Sequence, residues 1–292
     1  MVLTHGKPLS PSGVLVQLHP SRGSFTGVVD NDDGPNLIGQ FSYNQGDRFA
    51  RLSFFLPENT LETKAFPVFL QGISALACEW GAFNLLGEVP ESGSLFERMR
   101  QNGFSTYGWQ TVWKAVKHSG SDLPSQSNWQ SSGSGDYLVV KNLYQSLIPP
   151  LVQSIEPFPD HIPSGKVFRI QGETVAWASI NIGLEGVFVV PLFHPEVQDI
   201  QERLMTLSMQ IQRETRLPVY FAIRSYQTWL EPALESLDWK ALPRQALMAK
   251  RLAVVQNTSV LAARTAMNDQ RIEPTTPLVG YAVPGEENGK EI

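Results

Sequence analysis

Leu95-Phe-Glu-Arg-Met-Arg-Gln-Asn-Gly-Phe104 and Leu230-Glu-Pro-Ala-Leu-Glu-Ser-Leu-Asp-Trp239 decide how this chain is organised. Leu95, Met99, Phe104 and Gln110 correspond to Leu230, Leu234, Trp239 and Gln245, all at one offset of 135 residues (230 − 95). Both stretches read as a short helix, a turn carrying a large aromatic, and a closing strand. The correspondence extends backwards. Asn84-Leu-Leu-Gly-Glu-Val matches Val219-Tyr-Phe-Ala-Ile-Arg as a buried strand. Val68, Phe69, Ile73, Leu76 and Trp80 make one helical stripe, and Ile200, Leu204, Leu207 and Ile211 make another. Leu52-Ser-Phe-Phe-Leu-Pro-Glu and Val187-Phe-Val-Val-Pro-Leu-Phe-His-Pro-Glu read as apolar central strands. Gly34-Pro-Asn-Leu-Ile-Gly and Gly172-Glu-Thr-Val-Ala-Trp, 138 residues apart, read as hairpin turns entering strands. Element order kept over most of each half implies duplication of a whole domain, not a solenoid repeat.

The size agrees with a duplication. The 292 residues suit two domains of roughly 100–150 residues better than one. Expected boundaries are an N-terminal domain at 1–118, a linker at 119–136, a second domain at 137–257 and a frayed tail at 258–292. The linker reading rests on the Ser/Gly-rich run Ser119 to Asp136, whose one aromatic residue is Trp129. The tail reading rests on prolines, glycines and closing charges.

Composition removes several function classes. One cysteine, Cys78, excludes a disulfide framework and a Cys-rich zinc site, and its apolar surroundings read as core. The five histidines show no metal-ligand spacing, so no metal is expected. A net charge of −5 with scattered Lys and Arg argues against nucleic-acid binding and a polybasic membrane anchor. Apolar runs are too short for a membrane span, and the N-terminus lacks a signal-peptide pattern, so a cytoplasmic protein is expected.

The ordered set of elements resembles the GNAT (GCN5-related N-acetyltransferase) family. Leu95–Phe104 is similar to its helix-then-Gly-Phe signature, and His194-Pro-Glu to the residues after its fourth strand. Asn142-Leu-Tyr-Gln-Ser-Leu-Ile-Pro-Pro-Leu-Val-Gln fits the second copy's opening helices, which look reduced in the first. The resemblance covers roughly residues 14–116 and 138–255. It implies an α/β (α+β) mixed-sheet protein of two tandem GNAT-like domains, each a mostly antiparallel sheet flanked by helices. It also implies acetyl-CoA in a V-shaped opening between two central strands.

That cofactor sets requirements. A glycine-rich loop at a helix N-terminus holds its pyrophosphate, because phosphates approach the backbone too closely for a Cβ. The resemblance places cofactor contacts at Val189, Val190, Gln198, Gln201 and Arg203. Gln201 and Arg203 stand at the glycine positions, with Asp199 and Glu202 beside them. In the first copy, Pro57-Glu-Asn-Thr-Leu-Glu-Thr-Lys64 has no glycine. The family's general-acid tyrosine falls on Met99 and Leu234, so both copies lack it. Tyr226 and Tyr107 are the nearby substitutes, and Glu88 at a strand end is the candidate base. Each also has a structural reading: Arg203 as a solvated helix residue, the tyrosines as packed aromatics, Glu88 as a surface carboxylate. Trp109 and Trp113 share a strand face and are expected to pack against the other copy or a partner.

Three functions therefore remain open. One is transfer of an acetyl group from acetyl-CoA to a small-molecule or peptide amine. Another is a non-catalytic scaffold or ligand-binding module, and the third a sensor of a small apolar molecule. Closing strands of this fold mediate pairing, so a homodimer is among the expected assemblies.

Overall fold

The computed structural model describes residues 22–30, 34–117 and 129–252, all within one compact unit, Met1–Val254. The expected tail lies outside these residues, as does the linker up to residue 128. The first half runs β1 (Arg22–Val29), β2 (Leu37–Asn44), β3 (Phe49–Leu56), a 3-10 turn (Glu58–Glu62), α1 (Ala65–Glu79), β4 (Asn84–Pro90), α2 (Ser94–Gln101) and β5 (Ser105–Lys114). The second runs β6 (Trp129–Ser131), α3 (Tyr137–Leu147), α4 (Pro150–Ile155), β7 (Gly165–Ile170), β8 (Glu173–Ile182), β9 (Val187–Phe193), α5 (Ile200–Thr215) and β10 (Val219–Arg224). It closes with a 3-10 segment (Ser225–Leu230), α6 (Glu231–Ser236), β11 (Lys240–Ala241) and β12 (Gln245–Arg251).

The same local physics makes both turns of the repeated signature. Gly103 takes a φ of 85° after α2, and Asp238, 135 residues on, takes 56° after α6. Left-handed backbone ends each helix, and glycine or a short polar residue tolerates it. Phe104 and Trp239 follow, both buried.

One sheet runs through both halves, in the order β1-β2-β3-β4-β12-β5-β10-β9-β8-β7-β6, with β11 pairing off this path onto β5. The closing strands are exchanged. β12, the last strand of the second half, lies between β4 and β5 of the first, and β5 pairs antiparallel with β10 of the second. Gln110 faces Gln245 across the β5–β12 ladder, and Gln110 Nε2 donates to Gln245 Oε1 at 2.8 Å. Antiparallel strands meeting at equivalent residues place a pseudo-two-fold axis through this pair, perpendicular to the sheet.

That axis puts α1 and α5 on one face, each over its own core. Under α1 lie residues such as Phe41, Leu85 and Met248; under α5 lie Phe193, Phe221 and Trp113. Strand alternation sends Phe49, Arg51, Leu86, Glu88 and Arg224 to the opposite face, which α3 and α4 cover. Trp109 and Trp113 point to the α1/α5 side, one against each core. Trp109 stacks on Phe96, while Trp113 is enclosed in the second copy's core.

Two readings change. Part of the expected linker is structured: β6 pairs with β7, and Trp129 is 2% exposed, its indole N–H donating to the Arg203 carbonyl. A single large apolar side chain in a polar run suffices to dock it. The α1 stripe is Phe66, Phe69, Leu70, Ile73 and Ala77, rotated from the expected one, and Val68 faces outward. Phe69 is fixed by the glycines of β1 and β2. A Cβ on Gly39 would lie 2.1 Å from Phe69 Cζ, so the ring sits on bare backbone.

Candidate functional site

Each copy contains two parallel central strands that pair only at their first residues. In the first copy Phe49, Ala50 and Arg51 pair with Asn84, Leu85 and Leu86. In the second, Val187, Phe188 and Val189 pair with Val219, Tyr220 and Phe221. Beyond these the strands diverge, as the V of the resembled fold requires.

Protein side chains bridge the second opening and pack against the edge of the first. In the second copy the Gln227 amide bridges the unpaired backbone of β9: Phe193 N–H donates to Gln227 Oε1 at 3.0 Å, and Gln227 Nε2 donates to the Pro191 carbonyl at 2.9 Å. Gln227 is 3% exposed. In the first copy a Cβ on Gly87 would meet Met99 Cε at 2.7 Å and Leu52 Cδ1 at 3.4 Å. Met99, at the general-acid position, is a fully buried thioether packed on β4; Leu234, its counterpart, is fully buried as well.

The N-terminus of α5 does not form a phosphate cradle. Gln198 and Gln201 are exposed, and Asp199 takes a left-handed φ of 55° at the N-cap. Arg203 faces Asp199 at 3.8 Å and Glu202 at 3.6 Å, and its guanidinium lies over the Phe168 ring at 4.9 Å. The one cation near the cap is therefore matched by two carboxylates. At α1, Lys64 is exposed, and the Ala65 N–H donates to Thr63 Oγ1. The residues present do not fit the pyrophosphate and pantetheine of acetyl-CoA.

The other face of the sheet holds a cavity of about 380 Å³. Its floor comes from β2 to β4 of the first copy and β8 to β10 of the second, and its roof is the proline-rich loop 156–163. Glu156, directly after α4, ties roof to floor. Arg51 Nη2 donates to its carboxylate at 2.6 Å and Arg224 Nη1 at 3.3 Å; Tyr107 Oη donates to the same carboxylate. Tyr144 Oη donates to the Glu156 main-chain carbonyl. Arg51 Nη1 also reaches Glu88 at 2.5 Å, and Gln110 Nε2 donates to Glu88 at 2.9 Å. The network thus reaches the pseudo-axis.

Titration follows from these contacts. Burial alone would raise the Glu156 pKa, but Arg224, Arg51 and the Tyr107 hydroxyl outweigh it and hold the carboxyl down to about 2. Burial and the Glu156 charge push the Tyr107 and Tyr144 phenols up. Tyr226 is pushed up to about 12, chiefly by burial, with Arg224 opposing. All three phenols stay protonated at neutral pH.

The cavity brings some expected residues together and separates others. Tyr226 and Glu88 both line it, and Tyr107 joins its floor network. Of the cofactor candidates only Val190 reaches it; Val189 is buried in the α5-side core, and Gln198, Gln201 and Arg203 lie at the start of α5, away from it. Arg51, Glu156, Arg224 and Gln227 were missed. A charged residue inside an apolar strand was the available signal for Arg51 and Arg224. Glu156, in a polar proline-rich stretch, carried none. Among the described residues, no group of three or more His, Cys, Asp or Glu is placed to hold a metal ion, and no helix is long and apolar enough to cross a membrane.

No protein-family model matches the chain, and no curated protein matches it significantly. Solved structures do. A tandem GNAT protein from the clavulanic acid biosynthesis pathway, solved without AcCoA, is 12% identical with a TM-score of 0.53, over 84% of this chain and 89% of that one. A putative acetyltransferase from Pyrococcus horikoshii is 8% identical with a TM-score of 0.50, over 87% and 84%. At such identities the likeness concerns the fold: this chain has the GNAT fold, in tandem.

Proposed function

We propose that this GNAT-fold tandem is a small-molecule-binding module without acyl-CoA turnover, its working site the cavity beneath loop 156–163. The observation that carries this reading is the Gln227 amide. It uses the N–H of Phe193 and the carbonyl of Pro191, the backbone groups a ligand threaded between the second copy's central strands would need. Displacing it leaves two buried polar groups to be satisfied again, each worth about 1–3 kcal/mol. The carboxylates beside Arg203 and the packing of Met99 on Gly87 support the same reading.

A second reading has its own support: N-acetyl transfer from acetyl-CoA to a small-molecule or peptide amine. Tyr226 and Glu88 stand on one cavity, a neutral phenol and a carboxylate within a single pocket. Against it, Glu88 is engaged by Arg51 and Gln110, which leaves it a poor base.

Calorimetric titration of the full chain with acetyl-CoA separates the two. The binding-module reading expects no heat up to high micromolar ligand. Saturable binding, or thiol release with a panel of amines that Tyr226→Phe abolishes, contradicts it.

A further inference from the structure

We propose that the cavity takes a neutral, flat aromatic molecule; this rests on the binding-module reading and specifies its ligand. At about 380 Å³ the cavity lies within the range of small-molecule pockets. Its floor has charges that cancel. Arg51 is paired with Glu88 and Glu156, and Arg224 with Glu156, two guanidiniums against two carboxylates. A charged ligand would have to break one of these pairs and leave a buried partner uncompensated. A neutral ligand meets the floor as it stands.

The walls fit a ring. Phe158 packs edge-on against Trp177 at 5.9 Å and tilted against Tyr144 at 5.3 Å. Arg51 lies over the Phe49 ring at 5.6 Å, so the guanidinium itself is part of a stacked surface. Pro157, Pro159 and Pro163 of the roof contribute apolar surface and no N–H. Aromatic walls of this kind gain offset-stacked and edge contacts from a planar guest beyond simple area burial. Outside the floor network, Asp47 is half-buried and accepts from Asn44 Nδ2 at 2.8 Å, and His161 is exposed at the mouth.

The test presents one ring in three charge states to the full chain by calorimetry: indole, indole-3-acetate and tryptamine, with acetyl-CoA alongside. Indole should bind at least about tenfold more tightly than either charged analogue. Val190→Trp, which fills the cavity from β9, should abolish its binding. Ser179→Trp, from β8, serves the same purpose should the first variant fail to give a native circular dichroism spectrum. Tighter binding of either charged analogue overturns the neutral class and leaves the binding-module reading standing. Saturable acetyl-CoA heat overturns the module reading itself. Absence of indole binding, or binding that survives both tryptophan substitutions, also overturns the proposal.

Discussion

Glu156 holds donors from three separate strands: Arg51 of β3, Tyr107 of β5 and Arg224 of β10. Two of these strands come from the first half of the chain and one from the second, so a single carboxylate pins the cavity roof to both. Its stability contribution has a definite sign with pH. The folded pKa is lowered from 4.5 to about 2, so the contribution is fully present above about 4.5 and is lost as pH falls through 2. Glu156→Gln leaves the buried Arg224 guanidinium without its carboxylate and the half-buried Arg51 with Glu88 alone, and should cost about 3 kcal/mol at neutral pH. Urea unfolding between pH 7 and pH 2.5 checks both parts: the wild type should lose stability below about pH 4.5, and the variant should lose less there. A variant with unchanged stability at pH 7 contradicts the assigned role. At this scale the sequence placed Glu88 on the strand that is β4, but did not show its burial against Arg51 and Gln110. It was not legible for Glu156 or Gln227, because their partners come from strands 105 and 36 residues away.

Elements were read more fully than residues, because hydrophobic period is a local property. The helices, both hairpins and the two apolar strands follow from their own stretches. The expected α1 stripe held both Val68 and Phe69; Phe69 enters against Gly27 and Gly39 of the facing strands, while Val68 stays outside. β6 was obscured by composition. Ser and Gly surround Trp129 and give a flexible signature, yet the indole is buried between Phe168 at 5.3 Å and Phe193 at 5.8 Å. Trp129→Ala should therefore behave as a core truncation, costing about 3–5 kcal/mol, not as a change in a linker. A loss of unfolding free energy below about 1 kcal/mol in urea would return this segment to the surface. The same substitution removes the indole from the Arg203 carbonyl, which keeps Thr206 Oγ1 at 3.0 Å, and unpacks the first turn of α5, so hydrogen exchange there should quicken.

The whole molecule departs furthest from its sequence pattern. A constant offset of 135 residues is the same whether each closing strand returns to its own half or crosses to the other. The repeat therefore could not report the exchange, although the Gln110–Gln245 pair it singled out marks the axis. Side-chain sizes fix the choice. At the shared offset, Trp113 of β5 corresponds to Met248 of β12, and Lys114 to Ala249. Met248 and Ala249 pack in the cores beside β4, whereas Trp113 fills the core under α5. Returning β5 to its own half would force an indole into the space of a methionine and bring a lysine to a half-buried alanine site, both unfavourable. Returning β12 to the second half would leave a void where Trp113 stood. Chains 1–122 and 123–292, produced separately, should therefore not fold cooperatively. Mixed in equal amounts, they should recover the intact chain's circular dichroism and a single unfolding transition, with β12 again seated between β4 and β5. A cooperative transition from either fragment alone would mean that the closing strands are interchangeable and that the exchange is not imposed by packing.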